Sequence, residues 1–199
     1  MWPIAEQRLL GQLPGTLHYH GPHHTLLDVV PAVRRLAAQE SVNPQGLELL
    51  EVAALFHDMG FIERYNGNEQ IGARMAAETM PEHGYGSREI SRVIDLILST
   101  EMKEIDGIWR QDPGDDLEKR ILCDADLDNL GREDFLSVSQ TLRMELVEQG
   151  THFADLEWLT RQILFISQQR WFTESQRRER DAGKARNLAH LRRELAGLL

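Results

Sequence analysis

Apolar and polar positions alternate with a helical period along almost the whole chain. The stretch "PHHTLLDVVPAVRRLAAQE" has apolar residues at the three-and-four spacing of an amphipathic helix, at Leu26, Leu27, Val30, Val33 and Leu36. Pro31 falls inside this stretch, and a proline in a helix interior removes a hydrogen bond and clashes with the preceding turn. We therefore expect the helix to be kinked or divided there.

A second helix is predicted directly afterwards. Asn43 is a good N-cap, and Pro44 suits the first helical position, where its missing N–H costs nothing. The helix then runs through "PQGLELLEVAALFHD" and is expected to end near Gly60.

The rest of the chain predicts further helices with one irregular stretch. Helical segments are "EQIGARMAAETM", "REISRVIDLILST" after Ser87, "DLEKRILCDADLDNL" closed by Gly131 as a C-cap, "EDFLSVSQTLRMELVEQG", "DLEWLTRQILFISQQRWF" and "ESQRRERDAGKARNLAHLRRELAGLL". Residues 101–116 contain two glycines and a proline and are a candidate lid or substrate loop. No convincing strand alternation, internal repeat or low-complexity linker is present, which predicts one all-α domain.

Composition narrows the classes of function. Lys and Arg total 22 against 32 Asp and Glu, a formal charge of -10, which disfavours nucleic acid as the main partner but allows a small phosphorylated substrate. The single cysteine, Cys123, rules out an intramolecular disulfide and Cys-rich zinc sites and is predicted to be a small buried residue. No apolar run approaches the roughly 20 residues that cross a bilayer, and the N-terminus lacks a signal-peptide layout, so we expect a cytoplasmic protein without membrane association.

The pair His57-Asp58 stands where the pattern asks for core residues. Positions three, four and seven before His57 are Ala54, Ala53 and Leu50, so His57 lies on the apolar stripe of the helix. Asp58 falls at the edge of the same stripe. A bound ion at that edge would accept both side chains.

An aspartate in a later helix raises the same question. Asp126 aligns with Leu122 and Leu130 on an apolar face, where an unpaired carboxylate would cost about several kcal/mol or become protonated. A metal or a cationic partner would remove that cost. Asp124 and Asp128 fall on a different line, which we interpret as a solvated face.

A cluster of histidines lies upstream. In "LHYHGPHHTLLDVV", His24 comes one turn before a core helix and His20 lies four residues earlier. A lone histidine beside an apolar stripe is more often a hydrogen-bonded core residue, but three such features on separate segments favour a metal site. Imidazole and carboxylate suit ions such as Mn, Fe, Co, Ni and Zn, and the absence of thiolates favours a site with open positions.

The order His24, His57-Asp58, Asp126 resembles the HD-domain superfamily of metal-dependent phosphohydrolases. "YHGPHHTLLDVV" is similar to the opening histidine motif, "AALFHDMGF" to the segment ending in the His-Asp doublet, and "LCDADLDNLG" to the segment that supplies the last aspartate. "NEQIGARMA" and the C-terminal tail resemble a subgroup of uncharacterised predicted HD phosphohydrolases. The resemblance implies a single HD-type helical bundle over residues 1–199, with the metal-site helices in 16–131 and a C-terminal helical extension in 132–199.

The resemblance also implies a ligand set for one divalent ion, which could be Mn, Mg, Fe, Co, Ni or Zn: His24, His57, Asp58 and Asp126. His23 is the main rival to His24, which is preferred because Tyr19-His20 precedes it at the spacing seen in cyclic-nucleotide phosphodiesterases. In those relatives the earlier histidine is the general acid, a role that would pass to His20.

This sequence departs from the family pattern in two places. Members with two or three metals carry extra histidines between the doublet and the last aspartate. In this sequence that interval contains one histidine, His83, and Thr100 occupies a position where a ligand would be expected. One metal is therefore expected. Many hydrolytic members have a Lys or Glu shortly after the doublet, whereas Gly60 and Phe61 follow here, which leaves the acid/base assignment open.

The resulting functional hypothesis is a phosphomonoesterase or phosphodiesterase acting on a small phosphorylated metabolite, with a nucleotide favoured by the family's habit. Asp58 would be a ligand or bridging base, and His20 would protonate the leaving oxygen. Arg64 and Lys103 flank the loops after the ligand helices and would bind phosphate, although solvated surface charges are as good an interpretation. Glu69 would orient a water molecule or hydrogen-bond to the metal ligands. The simpler and preferred interpretation is an acidic residue that stabilises the first turn of its helix through the helix dipole.

Two other interpretations stay open. A non-catalytic HD domain that binds metal or nucleotide as a sensor or scaffold is favoured by the missing residue after the doublet. An oxidative relative using two irons is the third. The resemblance also allows a homodimer.

Overall fold

The computed structural model of this chain describes residues 1–198 and confirms the all-α fold. The α-helices are α1 (Trp2–Gln12), α2 (Val30–Gln39), α3 (Pro44–Phe56), α4 (Asn68–Thr79), α5 (Ser87–Leu98), α6 (Leu117–Asp126), α7 (Phe135–Glu148), α8 (Asp155–Gln168) and α9 (Glu174–Leu198). A π-helical segment, His24–Val29, precedes α2, and short 3-10 helices occupy Met59–Ile62, Met80–His83 and Asp128–Gly131. Within residues 1–198 no helix is both long enough and apolar enough to span a bilayer.

The predicted effect of Pro31 and the predicted start of α3 are confirmed. Pro31 lies in the first turn of α2, directly after the π-helical segment, so the predicted helix is divided at the proline into a π-helical part and an α-helical part that follow each other without a loop. Asn43 caps α3, since its side-chain oxygen accepts a hydrogen bond from the N–H of Gly46 at 2.9 Å.

The stretch predicted to be irregular contains a hairpin that the pattern did not reveal. Strands β1 (Lys103–Ile105) and β2 (Ile108–Arg110) pair antiparallel, with Glu104 opposite Trp109. Asp106 and Gly107 form the two-residue turn with φ angles of 54° and 77°, as a type I′ turn requires. Strands of three residues are too short for alternation to show.

The helices pack around two apolar clusters. The larger cluster draws on α1 to α6 and buries residues such as Val33, Leu50, Phe56, Ile97 and Leu122. The smaller cluster lies between the 3-10 helix after α6 and α7 to α9, and consists of Leu130, Phe135, Ile166, Trp171 and Leu191. The C-terminal helices therefore have a core of their own next to the metal-site helices.

The prediction that Asp124 and Asp128 face solvent is wrong. Asp124 is 1% exposed and accepts the N–H and the hydroxyl of Thr173, both at 2.7 Å. Asp128 is 3% exposed and pairs with Arg35 at 2.7 Å and with Arg180 at 2.8 Å. The start of α9 and the segment before it cover this face of α6, and hydrogen-bond donors from there offset the cost of burying both carboxylates.

Gly131 does not cap α6, contrary to the prediction. Helix α6 ends at Asp126, and Gly131 closes the 3-10 helix that follows. Gly131 instead packs closely against Gly183 of α9. A Cβ built on Gly183 would lie 1.9 Å from the Gly131 carbonyl oxygen, and a Cβ built on Gly131 would lie 2.7 Å from the carbonyl oxygen of Arg180. Glycine at both positions lets the two backbones touch.

Two more glycines bring α4 against the end of α3. A Cβ built on Gly72 would lie 2.2 Å from the carbonyl oxygen of Phe56, and one built on Gly60 would lie 1.9 Å from that of Asn68. The start of α4 therefore lies directly on the segment that carries His57 and Asp58.

We expect Gly72→Ala to lower the free energy of unfolding by about 1–3 kcal/mol, because the new methyl group meets a backbone carbonyl that cannot rotate away. Urea unfolding followed by far-ultraviolet circular dichroism measures the change. Gly11→Ala is the matched control: it makes the same substitution in a helix with nothing within 4 Å, and is expected to be neutral or to stabilise by up to about 1 kcal/mol. Equal effects of the two substitutions would contradict the close approach of α3 and α4.

Candidate metal centre

Donor groups from three distant segments meet at one buried point. Nitrogen or oxygen atoms of His24, His57 and Asp126 all lie within 4.8 Å of one another. Asp58 joins them through the histidines, since its Oδ2 atom is 3.5 Å from His24 Nε2 and 3.1 Å from His57 Nε2. The structure thus brings together the four residues that the sequence predicted as ligands.

The end of α3 explains how adjacent residues can point at one spot. Neighbouring side chains on a helix diverge by about 100°. Helix α3 ends at Phe56, His57 keeps helical angles (φ −57°, ψ −42°), and Asp58 leaves them (φ −102°, ψ 1°). The prediction that the helix runs through Asp58 is therefore wrong by two residues, and this early end lets both side chains converge.

Each carboxylate uses one oxygen for an amide and leaves the other for the centre. Asn68 donates to Asp58 Oδ1 at 3.2 Å, and Gln111 donates to Asp126 Oδ2 at 2.6 Å. The remaining oxygens, Asp58 Oδ2 and Asp126 Oδ1, lie beside the histidines. Such supporting amides fix the orientation of metal ligands in proteins.

His57 has the matching arrangement. Its Nδ1 atom lies 2.7 Å from the carbonyl oxygen of Ala54, which can only accept, so Nδ1 carries the proton and donates. The Nε2 atom is buried without a hydrogen-bond partner, as is Asp58 Oδ2, although the two atoms are 3.1 Å apart. When the His57 ring is neutral, two lone pairs face each other in a buried site and repel, and a proton or a metal ion between them turns the repulsion into attraction.

The spacing of the donors fits a transition-metal ion. Ligands at about 2.1 Å from an ion and at right angles to each other lie about 3 Å apart. The contacts between the histidine Nε2 atoms and the carboxylate oxygens span 3.1 to 3.5 Å. The donor set of two imidazoles and two carboxylates, without thiolate, suits a divalent ion that keeps open positions.

The electrostatics of the protein alone also show the concentration of negative charge. Burial lowers the pKa of His57, but the carboxylates of Asp58 and Asp126 more than offset this and raise the pKa well above its ordinary value. Burial likewise opposes ionisation of Asp126, yet hydrogen bonds and charge from His24 and His57 hold its pKa below the ordinary value.

A cavity of about 670 Å³ opens from this centre. Its polar lining includes Tyr19, His20, Asp58, Glu69 and Asp126. Its apolar lining comes mainly from α7, α8 and the hairpin, with Phe135, Leu142, Leu146, Phe153, Trp158, Phe165 and Trp109 in the wall. The candidate metal centre therefore lies in the wall of a space large enough for a small-molecule ligand.

His20 lies in the cavity wall beside the donors. Its ring stacks on Phe61 with centroids 4.6 Å apart, and its Nδ1 atom lies 2.5 Å from Glu145 Oε1. Burial opposes protonation of this ring, but the hydrogen bond to Glu145 and the charges of Asp58, Glu145 and Asp126 together more than offset it and raise the pKa of His20. Tyr19 lies alongside, with its ring centroid 4.9 Å from that of His24.

Glu69 also lines the cavity, in the first turn of α4. Burial, together with the nearby carboxylates of Asp58 and Glu101, raises the pKa of Glu69. A carboxyl group held toward its protonated form beside a metal centre is suited to proton transfer.

Other predicted residues are not brought to the cavity. Arg64 is exposed above the loop before α4, and Lys103 is exposed and 3.6 Å from Glu101. Neither lines the cavity. His23, the rival to His24, is 72% exposed and lies 3.9 Å from Asp28, and His83 is exposed at the end of a 3-10 helix.

Several residues that support the centre or line the cavity were not indicated by any sequence pattern. Gln111 comes from the stretch predicted to be irregular, and Asn68 precedes the predicted site residue Glu69. Glu145 and Arg161 come from the C-terminal helices. The hydrogen bonds of Asn68, Gln111 and Glu145 to this region span 10 to 126 residues of sequence, so helical periodicity carries no signal for them.

Comparison with known proteins agrees with this geometry. The sequence profile of the HD domain matches residues 26–128, which include His57, Asp58 and Asp126 and begin two residues after His24. The chain belongs to the HD-domain superfamily of metal-dependent phosphohydrolases. No curated protein matches the sequence significantly.

Among solved structures, the fold is similar to that in the crystal structure of Bacillus subtilis YpgQ in complex with ADP. The TM-score is 0.65 over 95% of this chain and 94% of the other, with 17% sequence identity. The similarity therefore includes the C-terminal helices that lie beyond the HD-domain match.

Because His24 contributes to the centre and His23 does not, we expect His24→Ala to weaken binding of Mn²⁺ or Zn²⁺ by at least about tenfold, and His23→Ala to leave it unchanged. Isothermal titration calorimetry and elemental analysis after dialysis measure affinity and stoichiometry, with one ion per chain expected. Equal losses in the two variants would show that the histidines are assigned wrongly.

Proposed function

We propose that this chain is a phosphohydrolase that uses one divalent metal ion and acts on a small phosphorylated metabolite, with a nucleotide as the favoured substrate. The observation that carries the proposal is the pair of buried, unpartnered atoms, His57 Nε2 and Asp58 Oδ2, beside a large cavity. A protein that only needed to fill its core would not leave two lone pairs facing each other there.

In this proposal His24, His57, Asp58 and Asp126 hold the ion. A divalent ion so held would polarise a phosphoryl group and lower the pKa of a bound water molecule. The amides of Asn68 and Gln111 keep the two carboxylates turned so that one oxygen of each stays free.

Proton transfer is assigned to groups in the cavity wall. Asp58 Oδ2, which no protein hydrogen bond occupies, is assigned as a ligand of the ion or as a bridging base that would take a proton from the attacking water. His20, whose pKa the contact with Glu145 raises, donates a proton to the leaving oxygen. Glu69 lies beside Asp58 and orients the water or assists the same transfer.

Substrate binding is assigned to the cavity wall and to cations outside it. Arg64 and Lys103 remain the proposed phosphate-binding cations although neither lines the cavity, and Arg161 in the wall is a further candidate. Aromatic side chains such as Trp109 and Phe165 give the cavity flat apolar surfaces suited to a nucleobase. The structural similarity to YpgQ, which was solved with ADP, supports a nucleotide over other phosphate esters.

We expect the Mn²⁺-loaded protein to hydrolyse at least one member of a panel of nucleoside mono-, di- and triphosphates, cyclic nucleotides and p-nitrophenyl phosphate. Asp126→Ala should lower this activity by more than about a hundredfold, because it removes a ligand of the ion that stabilises the developing charge. A colorimetric phosphate assay, with pyrophosphate converted enzymatically, measures phosphate release, and chromatography detects the monophosphate formed from a cyclic nucleotide, which frees no phosphate.

Asp115→Ala is the matched control, since it removes an exposed aspartate just before the helix that ends at Asp126. Its activity should equal that of the wild type. If the metal-loaded wild type hydrolyses nothing on the panel and behaves like Asp126→Ala, the hydrolase proposal fails.

One observation favours the second candidate function, a non-catalytic sensor or scaffold. Among the described residues that line the cavity, Arg161 is the one arginine or lysine, whereas Asp58, Glu69, Glu101 and Asp126 supply carboxylates. A phosphoryl transfer site normally surrounds the transferred group with cations. A ligand that is bound but not turned over would need fewer of them.

For this second function we expect ADP with Mn²⁺, at about 100 times its Kd, to raise the free energy of unfolding by about 2.7 kcal/mol while the ADP stays intact. Thermal unfolding followed by differential scanning fluorimetry measures the stabilisation, and phosphorus NMR measures the ADP. Conversion of the ADP during the incubation would exclude the non-catalytic function.

A further inference from the structure

A buried carboxylate from the C-terminal helices lies directly behind residues that line the cavity. Glu145 lies in α7, outside the residues that match the HD domain, and its side chain is 0% exposed. An ionised carboxylate in such a place is costly unless donors surround it. The partners of Glu145 therefore indicate what it does.

Glu145 receives four hydrogen-bond donors, two on each oxygen. Oε2 accepts the backbone N–H groups of Tyr19 and His20 at 2.8 and 2.9 Å. Oε1 contacts His20 Nδ1 at 2.5 Å and accepts the hydroxyl of Tyr65 at 2.9 Å. Among the described residues no arginine or lysine pairs with it.

All four donors belong to the two segments that flank the metal donors. Tyr19 and His20 precede His24, and Tyr65 follows the His57-Asp58 doublet in sequence. Glu145 therefore joins α7 to both segments at the point where each meets the cavity. A carboxylate that only anchored α7 would not need to take the ring nitrogen of His20 as well.

We propose that Glu145 is a positioning residue that fixes His20 with its proton on Nδ1 and leaves Nε2 as the nitrogen available to a ligand in the cavity. The ring plane is set independently by stacking on Phe61, at 4.6 Å between centroids and 28° between planes. The catalytic consequence rests on the proposed hydrolase function, whereas the placement of His20 does not.

Replacing the Glu145 carboxylate by a carboxamide gives a direct test of this proposal. In Glu145→Gln the amide oxygen is expected to stay on the two backbone N–H groups, because an NH₂ group there would face two donors. The NH₂ group then faces His20 Nδ1, which must accept. The variant keeps the shape of the side chain but moves the ring proton from Nδ1 to Nε2.

The test is nitrogen-15 NMR of the histidine rings in the full chain, with Zn²⁺ as the added diamagnetic ion, at a pH where the His20 ring is neutral. Two-bond nitrogen–proton correlations distinguish the tautomers. We expect the wild type to have the Nδ1–H form and Glu145→Gln the Nε2–H form, with His20→Asn used to assign the signals.

Glu148→Gln is the matched control, because Glu148 lies on the same helix, is about half exposed and stands 4.0 Å from His18 at the surface. It should leave the His20 tautomer unchanged. If the wild type itself has the Nε2–H form, or if folded Glu145→Gln keeps the Nδ1–H form, the proposal is overturned. The wild-type spectrum decides the question even if the variant does not fold.

Activity gives a separate readout. If a substrate is found, Glu145→Gln should lower kcat by about a hundredfold with KM within about twofold. Only the doubly protonated His20 ring can donate from Nε2 and become a neutral imidazole, and an NH₂ group facing Nδ1 disfavours that form, whereas the Glu145 carboxylate stabilises it. Tyr65→Phe, which keeps the carboxylate, should retain the wild-type tautomer. A wild type without hydrolase activity but with the Nδ1–H tautomer would refute the hydrolase function and keep the placement of His20.

Discussion

The structure depends on four side chains of metal-ligating type that share a small volume in an apolar interior. Two imidazoles and two carboxylates lie with donor atoms 3.1 to 3.5 Å apart, and two of those atoms, His57 Nε2 and Asp58 Oδ2, have no hydrogen-bond partner. Such crowding is unfavourable in the protein alone and favourable around a cation. The surrounding fold can be understood as the means of holding these groups in place.

Support for the centre comes from close helix contact and from amides. Gly72 lets α4 lie against the end of α3, which places Asn68 within hydrogen-bonding distance of Asp58. The segment after the hairpin brings Gln111 to Asp126 from the other side. Each carboxylate therefore has one oxygen held by the protein, which orients the other before any ion arrives.

The C-terminal helices complete the site as well as the fold. Helices α7 and α8 build the apolar wall of the cavity, and Glu145 extends from α7 to His20. The segment leading into α9 covers the face of α6 that carries Asp124 and Asp128. The similarity to YpgQ over 95% of the chain shows that this fold extends beyond the HD-domain match.

The sequence alone determined the helical fold, and its resemblance to the HD-domain family implied the four converging donors. Helical period shows which side of a helix is apolar, and His57 and Asp126 were noticeable without that resemblance because they lie on the apolar side. Helical period wrongly predicted that Asp124 and Asp128 face solvent. A period-based prediction assumes that a helix has one buried face, whereas other elements cover α6 on two faces. Asn68, Gln111 and Glu145 were also beyond its reach. Their contacts join segments far apart in the chain, and only tertiary packing decides which polar groups meet there.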